Sequence, residues 1–162
     1  ARDMYEWIIG GLAVCDQMIK KEIERQEDET FPRELPCAKG RIRIHKNHNA
    51  GFPFGVLKGD PDLVKGVPAL TASAVLGALG MLLLRKGSSG QKLGLSIVLA
   101  GAASNLYDRF RRGYVVDYFS IRLKGLEKVV FNLGDMFIFF GSLLFVICEL
   151  MQSVRERGRS AK

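Results

Sequence analysis

Asp117 and Asp135 are the residues of this chain whose type and placement point to chemistry. Asp117 stands in Gly113-Tyr-Val-Val-Asp117-Tyr, shortly after Ser104-Asn105-Leu-Tyr-Asp108-Arg109, and Asp135 closes Phe131-Asn132-Leu-Gly-Asp135. An uninterrupted apolar stretch starts directly behind Asp135. Carboxylates beside hydrophobic stretches of membrane length are costly to keep and mark function. If the two approach, repulsion forbids both being ionised and the pair shares one proton. One member then activates water while the other protonates a departing amine. Asn105 and Arg109 are four apart and share a helix face, with Asp108 close to it. Asn132 fits the N-cap of a helix, which puts Asp135 at N3, where the partial positive charge of the helix end favours an ionised carboxylate. Each residue also has a purely structural reading: capping for Asn132 and Asp135, pairing with nearby arginines for Asp108 and Asp117, and an i,i+4 pair with Lys20 for Asp16. Their gathering at one face of the apolar segments argues for a shared purpose.

The elements that must position these groups follow from the segregation of apolar residues. At 162 residues the chain is one domain's worth, and its mean hydropathy of +0.08 would also suit a soluble protein. The distribution decides otherwise. Residues 66–84 are 19 without a charge, Leu93–Tyr107 add 15 and Met136–Cys148 another 13. A spanning helix needs about 20 mostly apolar residues. The first run meets that alone; the others do so with polar ends in the headgroup zone. The amino-terminal stretch Trp7–Cys15 has nine apolar residues before Asp16. No small-x-small cleavage site follows it, so a retained first helix is expected rather than a signal peptide. Residue 1 is alanine, so the chain as given reads as trimmed. The pattern predicts a membrane α-helical protein: a four-transmembrane-helix bundle with helices at about 4–23, 66–85, 92–108 and 132–154, forming a single membrane domain over 1–162. Outer excursions of about 24–65 and 109–131 join them. Ile42 and Ile44 alternate with polar residues, and Tyr114–Phe119 is β-branched and aromatic, so a small extracytoplasmic β-sheet is expected. Its polar edges must lie at or above the interface.

The net charge of +7 raises nucleic acid as a partner. The cations instead flank apolar runs, and no DNA-reading motif is present. Residues 85–92 carry three cations and no anion, and residues 155–162 carry four cations and one anion, so both belong on the cytoplasmic side with both termini. Residues 24–65 are nearly balanced, with eight basic and seven acidic side chains, as an outer segment should be. The basic stretch 109–130 is the exception, and its arginines would meet lipid phosphates. Three cysteines make no disulfide framework. Cys15 and Cys148 are expected as small core residues and Cys37 as a free outer thiol. His45 and His48, three apart on a strand-to-loop segment, point to different faces, and no nearby carboxylate completes a metal set.

These motifs together strongly resemble the lipoprotein signal peptidase family (signal peptidase II), membrane aspartyl endopeptidases with four spans. The resemblance rests on Asp16-Gln17 with Lys20, Asn49-Ala-Gly51-Phe-Pro-Phe-Gly55, Asn105-Leu-Tyr-Asp108-Arg109, Gly113-Tyr-Val-Val-Asp117-Tyr and Phe131-Asn132-Leu-Gly-Asp135, in family order over roughly residues 5 to 151. It implies that Asp117 and Asp135 are the catalytic dyad. It also implies that Asn105, Asp108, Arg109 and Asn132 orient the dyad and the substrate backbone, with Asp16, Lys20 and Asn49 in support. The implied substrate is a prolipoprotein whose lipobox cysteine carries diacylglycerol, cut just before that cysteine, with no metal or cofactor. Membrane lipids would surround a monomer whose site lies near the outer face of the cell membrane. Departures from the family pattern are the bulky Gly51-Phe-Pro-Phe, Cys15 before Asp16, the polar stretch Glu24–Glu34, and Gly134 where alanine is usual, expected to loosen the first helical turn. None removes a carboxylate or its asparagine, so an active enzyme is expected. The alternatives are a silent lipoprotein-binding homologue and a proton- or cation-coupled membrane protein.

Overall fold

The computed structural model describes residues 2–51 and 60–160. Residue 1 and the Phe52-Pro53 loop singled out above lie outside the described residues. Four helices, α1 (Arg2–Arg25), α2 (Pro61–Leu83), α3 (Ser89–Arg111) and α4 (Leu133–Ser160), enclose strands β1 (Arg33–Glu34), β2 (Ile42–Asn49) and β3 (Val115–Ile121) in the connections between them. The strands form one antiparallel sheet in the order β1-β2-β3. β1 is two residues long, too short to leave a period in the sequence. α2 starts five residues before the uncharged run because Asp60 caps it, accepting the N–H groups of Asp62 and Leu63, and Pro61 opens the first turn.

α3 is the central helix and packs against the other three. Its approach to α4 depends on paired glycines. A Cβ at Gly94 would stand 2.8 Å from the Gly141 carbonyl oxygen, and one at Gly101 would strike the Gly134 carbonyl. A Cβ at Gly134 would come within 2.9 Å of Asn132 Oδ1 and 3.0 Å of Asn105 Oδ1. Gly134 therefore serves close packing beside polar side chains, and the looseness expected from its backbone freedom is not its main effect.

Two apolar clusters hold the fold. One joins Ala72 and Leu79 of α2 to Leu95 and Leu99 of α3. The other seats the sheet on α1 through Ile23, Val116 and Tyr118, with Ile19, Phe31, Ile44 and Leu133 around them. Much of the remaining apolar surface points outward: Trp7 is 80% exposed, Leu70 75% and Leu84 84%. α2 and α4 are each long and apolar enough to cross a membrane. α1 and α3 have similar length but carry Asp16, Lys20, Lys92, Asp108 and Arg109, all turned inward and buried. Asp16 takes the inward face of α1, which leaves Cys15 exposed; Cys148 is half-buried, so neither is the core residue expected. Cys37 is a free, exposed thiol.

Candidate active site

The first turn of α4 organises the two carboxylates. Asn132 Oδ1 accepts the backbone N–H of Asp135 at 2.9 Å, and Asp135 Oδ2 accepts the backbone N–H of Asn132 at 3.1 Å. This reciprocal pair satisfies two donors that a helix start leaves free. The other Asp135 oxygen accepts Asn105 Nδ2 of α3 at 2.9 Å. Asn132, fully buried, then donates its Nδ2 to Asp117 Oδ1 at 2.8 Å. Asn49, at the end of β2, donates to Asp117 Oδ2 at 3.1 Å. Asp117 thus meets an asparagine at each oxygen and is only 3% exposed. Burial, first, and the neighbouring Asp135 push its carboxyl up to about 7, against the two asparagine amides and Lys20. The start of α4 is fixed on β3 by Phe131, whose N–H donates to the Phe119 carbonyl at 2.7 Å and whose carbonyl accepts from Tyr118 and Phe119. Arg109 Nη2 donates to the Gly51 carbonyl at 3.1 Å and so ties α3 to the end of β2.

Behind the carboxylates lies a buried ion cluster. Lys20, with no exposed side chain, places its Nζ 2.8 Å from Asp16 Oδ2 and 2.9 Å from Asp108 Oδ2. It also donates to Asn105 Oδ1 at 2.8 Å, which turns the Asn105 amide toward Asp135. Asp108 further pairs with Arg112 and accepts Val116 N–H at 3.3 Å. A buried cation between two carboxylates holds its geometry because leaving any member unpaired is costly.

Asp117, Asp135, Asn49, Asn105 and Arg109 line one polar end of a cleft of about 1090 Å³. Ile138, Phe139, Leu143 and Val146 of α4 continue it as an apolar wall. Two carboxylates, one carrying its proton near neutral pH, beside an apolar groove suit hydrolysis of a bond in a substrate with a lipid-like part.

The family model for signal peptidase (SPase) II matches residues 8–151. The chain belongs to the signal peptidase II family. It is 39% identical over 131 residues to a lipoprotein signal peptidase of Moorella thermoacetica, covering 77% of this chain and 79% of that protein. It is 30% identical over 150 residues to one from Allorhizobium ampelinum, covering 91% and 88%. A solved bacterial membrane enzyme shares the fold with a TM-score of 0.76 at 22% identity, over 93% of this chain and 90% of that one. This signal peptidase II is accordingly a hydrolase of the membrane-associated kind.

In this peptidase all nine site residues read from the motifs lie in one connected region. Asp108 does pair with a neighbouring arginine, Arg112, but it is fully buried on Lys20 and not solvated at the surface. Asp16 does pair with Lys20 at i+4, as part of the larger cluster. The histidines diverge: His45 bonds Ser120 Oγ at 2.8 Å, while His48 bonds Glu24 at 2.7 Å and stacks on Tyr114. Ser104 and Tyr118 are among the participants that escaped the motif reading. Ser104 donates to Asp16 Oδ2 at 2.6 Å, and Tyr118 donates to Asp16 Oδ1 at 2.8 Å. Their only sequence signal is adjacency to Asn105 and Asp117.

Proposed function

We propose that this peptidase removes signal peptides from prolipoproteins by cleaving just before a diacylglyceryl-modified lipobox cysteine, with Asp117 and Asp135 as a water-activating dyad. The observation that carries the reading is Asn132, whose side-chain amide donates to the Asp117 carboxylate and whose backbone N–H donates to that of Asp135. Asp135 is the ionised member, since it stands in the first turn of α4, where the helix end and the backbone N–H of Asn132 favour a carboxylate. Asp117 holds the shared proton. A water between them gives a proton to Asp135 as its oxygen attacks the scissile carbonyl, and Asp117 protonates the carbonyl oxygen. The resulting diol collapses, the C–N bond breaks, and the proton on Asp135 passes to the cysteine amine as it leaves. Returning the diol proton to Asp117 restores the dyad. Asn105, Asn132 and Asn49 fix the carboxylates, while Asp16, Lys20 and Asp108 fix Asn105. Arg109 suits the substrate backbone because its planar fork offers several donors in fixed geometry.

The apolar wall along α4 takes the acyl chains of the modified cysteine. All four helices cross the cell membrane as a single domain over 1–162, with both termini cytoplasmic, the dyad near the outer face, and the monomer as working unit. α1 and α3 tolerate this because their charges face each other rather than lipid. A pair of synthetic prolipoproteins, with and without diacylglycerol on the lipobox cysteine, tests the substrate. Cleavage of the modified form alone supports the reading. Equal cleavage of both removes the lipid from it, and binding of the modified form without cleavage favours the silent homologue.

A further inference from the structure

Tyr118 follows Asp117 on β3, and strand alternation sends its ring to the opposite face. There it is 4% exposed, in the apolar cluster with Ile23 and Leu133. A phenol buried in such a cluster needs partners for its hydroxyl. It has two: the hydroxyl donates to Asp16 Oδ1 at 2.8 Å and accepts the backbone N–H of Leu133 at 3.0 Å. Leu133 is the first residue of α4, so this N–H has no partner within the helix. The main chain of Tyr118 grips the same turn, its N–H donating to the Phe131 carbonyl at 2.8 Å. Asp16, at the other end, is held by Lys20 at 2.8 Å and Ser104 at 2.6 Å. The same Lys20 reaches Asp135 through Asn105. One buried cation therefore acts on the first turn of α4 along two arms, one ending on the Asp135 carboxylate and one on the backbone two residues earlier.

We propose that Tyr118 is a positioning residue for hydrolysis: its hydroxyl ties the first turn of α4 to the α1 ion pair and so holds Asp135 at its working distance from Asp117. This rests on the assignment of Asp117 and Asp135 as the dyad. The hydroxyl has one hydrogen, which Asp16 takes, so Tyr118 is a fixed link and carries no proton to substrate. Burial and the adjacent Asp16 carboxylate hold its ionisation well above the usual tyrosine range, so the hydroxyl keeps its hydrogen.

The same hydrogen bond can be removed from either side. Tyr118→Phe deletes the acceptor, and Leu133→Pro deletes the donor at a position where proline suits a helix start. Cleavage of a diacylglyceryl-modified peptide, followed over a range of substrate concentration, is expected to show kcat lowered about 10- to 100-fold in each variant with KM unchanged. The double variant should be no slower than Tyr118→Phe alone, because both changes remove one link. Wild-type kcat in folded Tyr118→Phe would overturn the proposal, as would a change confined to KM or an additive double variant. If Tyr118→Phe does not fold, Leu133→Pro decides in the same way. Asp135→Asn runs beside them: if it retains activity, the dyad assignment fails, whereas an inactive Asp135→Asn with wild-type Tyr118→Phe sinks this inference alone.

Discussion

Asn132 donates its side-chain amide to Asp117 at 2.8 Å while sitting at the N-cap of the helix that carries Asp135. One side chain thus serves a helix start and sets the separation of two carboxylates. Asn132→Ala removes the cap and the link to Asp117 together, and keeps only the backbone N–H bond to the Asp135 carboxylate. Loss of an N-cap costs about 1 kcal/mol of stability, whereas misplacing a reacting group by an ångström costs on the order of 100-fold in rate. The expected variant is folded, slightly less stable and at least about 100-fold slower. Melting curves and cleavage rates in the same detergent check both halves.

Asp117 predicts a pH dependence whose sign is fixed. Its folded carboxyl titrates near 7, above the ordinary 3.8, so between these values the folded state binds more protons than the unfolded one. Stability from this group is fully present below about 4 and is lost as pH rises through about 7. Asp117→Asn does not titrate. The melting temperature of Asp117→Asn minus that of wild type should grow from about pH 4 to about pH 7 and level off above. A difference independent of pH would contradict the buried, carboxylate-facing environment of Asp117.

Lys20→Met leaves Asp16 buried without a cation and Asp108 with Arg112 alone. Breaking a buried pair in this way is strongly destabilising, about 3–5 kcal/mol. Both carboxylates and the ammonium have no exposed side-chain area, so solvent does not soften the effect. Unfolding in denaturant should show the loss, and Asp16→Asn in the Lys20→Met background should recover part of it.

Gly101→Ala tests the glycine seam. The new Cβ strikes the Gly134 carbonyl, a backbone atom that cannot swing aside. Overpacking of this kind costs about 1–3 kcal/mol and shifts the turn that bears Asp135. Gly10→Ala is the control, because nothing lies within 4 Å of its added Cβ. Gly10→Ala should keep wild-type rate with a melting temperature equal to or above that of wild type, and Gly101→Ala should lower both.

The site's carboxylates and asparagines were legible because each announces itself locally. Asn132 and Asp135 have the spacing of a cap and its third residue, and Asn105 and Arg109 have that of one helix face. The four helices were legible from charge-free runs, although their ends were not: Asp60 starts α2 well before its apolar run begins. What stayed hidden depends on contacts between distant residues. Lys20 and Asp108 are 88 residues apart, and only the packing of α1 on α3 joins them. Tyr118 was hidden by its own strand, since alternation points it away from Asp117 and its partners are a helix start and another helix. Cys15 misled because an apolar run says which residues can be inside, and only the inward turn of Asp16 says which face is.

The most direct test of the dyad is a gel-shift cleavage assay in detergent with lipid, using a prolipoprotein bearing a diacylglyceryl-modified lipobox cysteine. Wild type runs beside folded Asp117→Asn and Asp135→Asn. The account predicts a shortened product with wild type and none with either variant. Cleavage that survives both substitutions would contradict it.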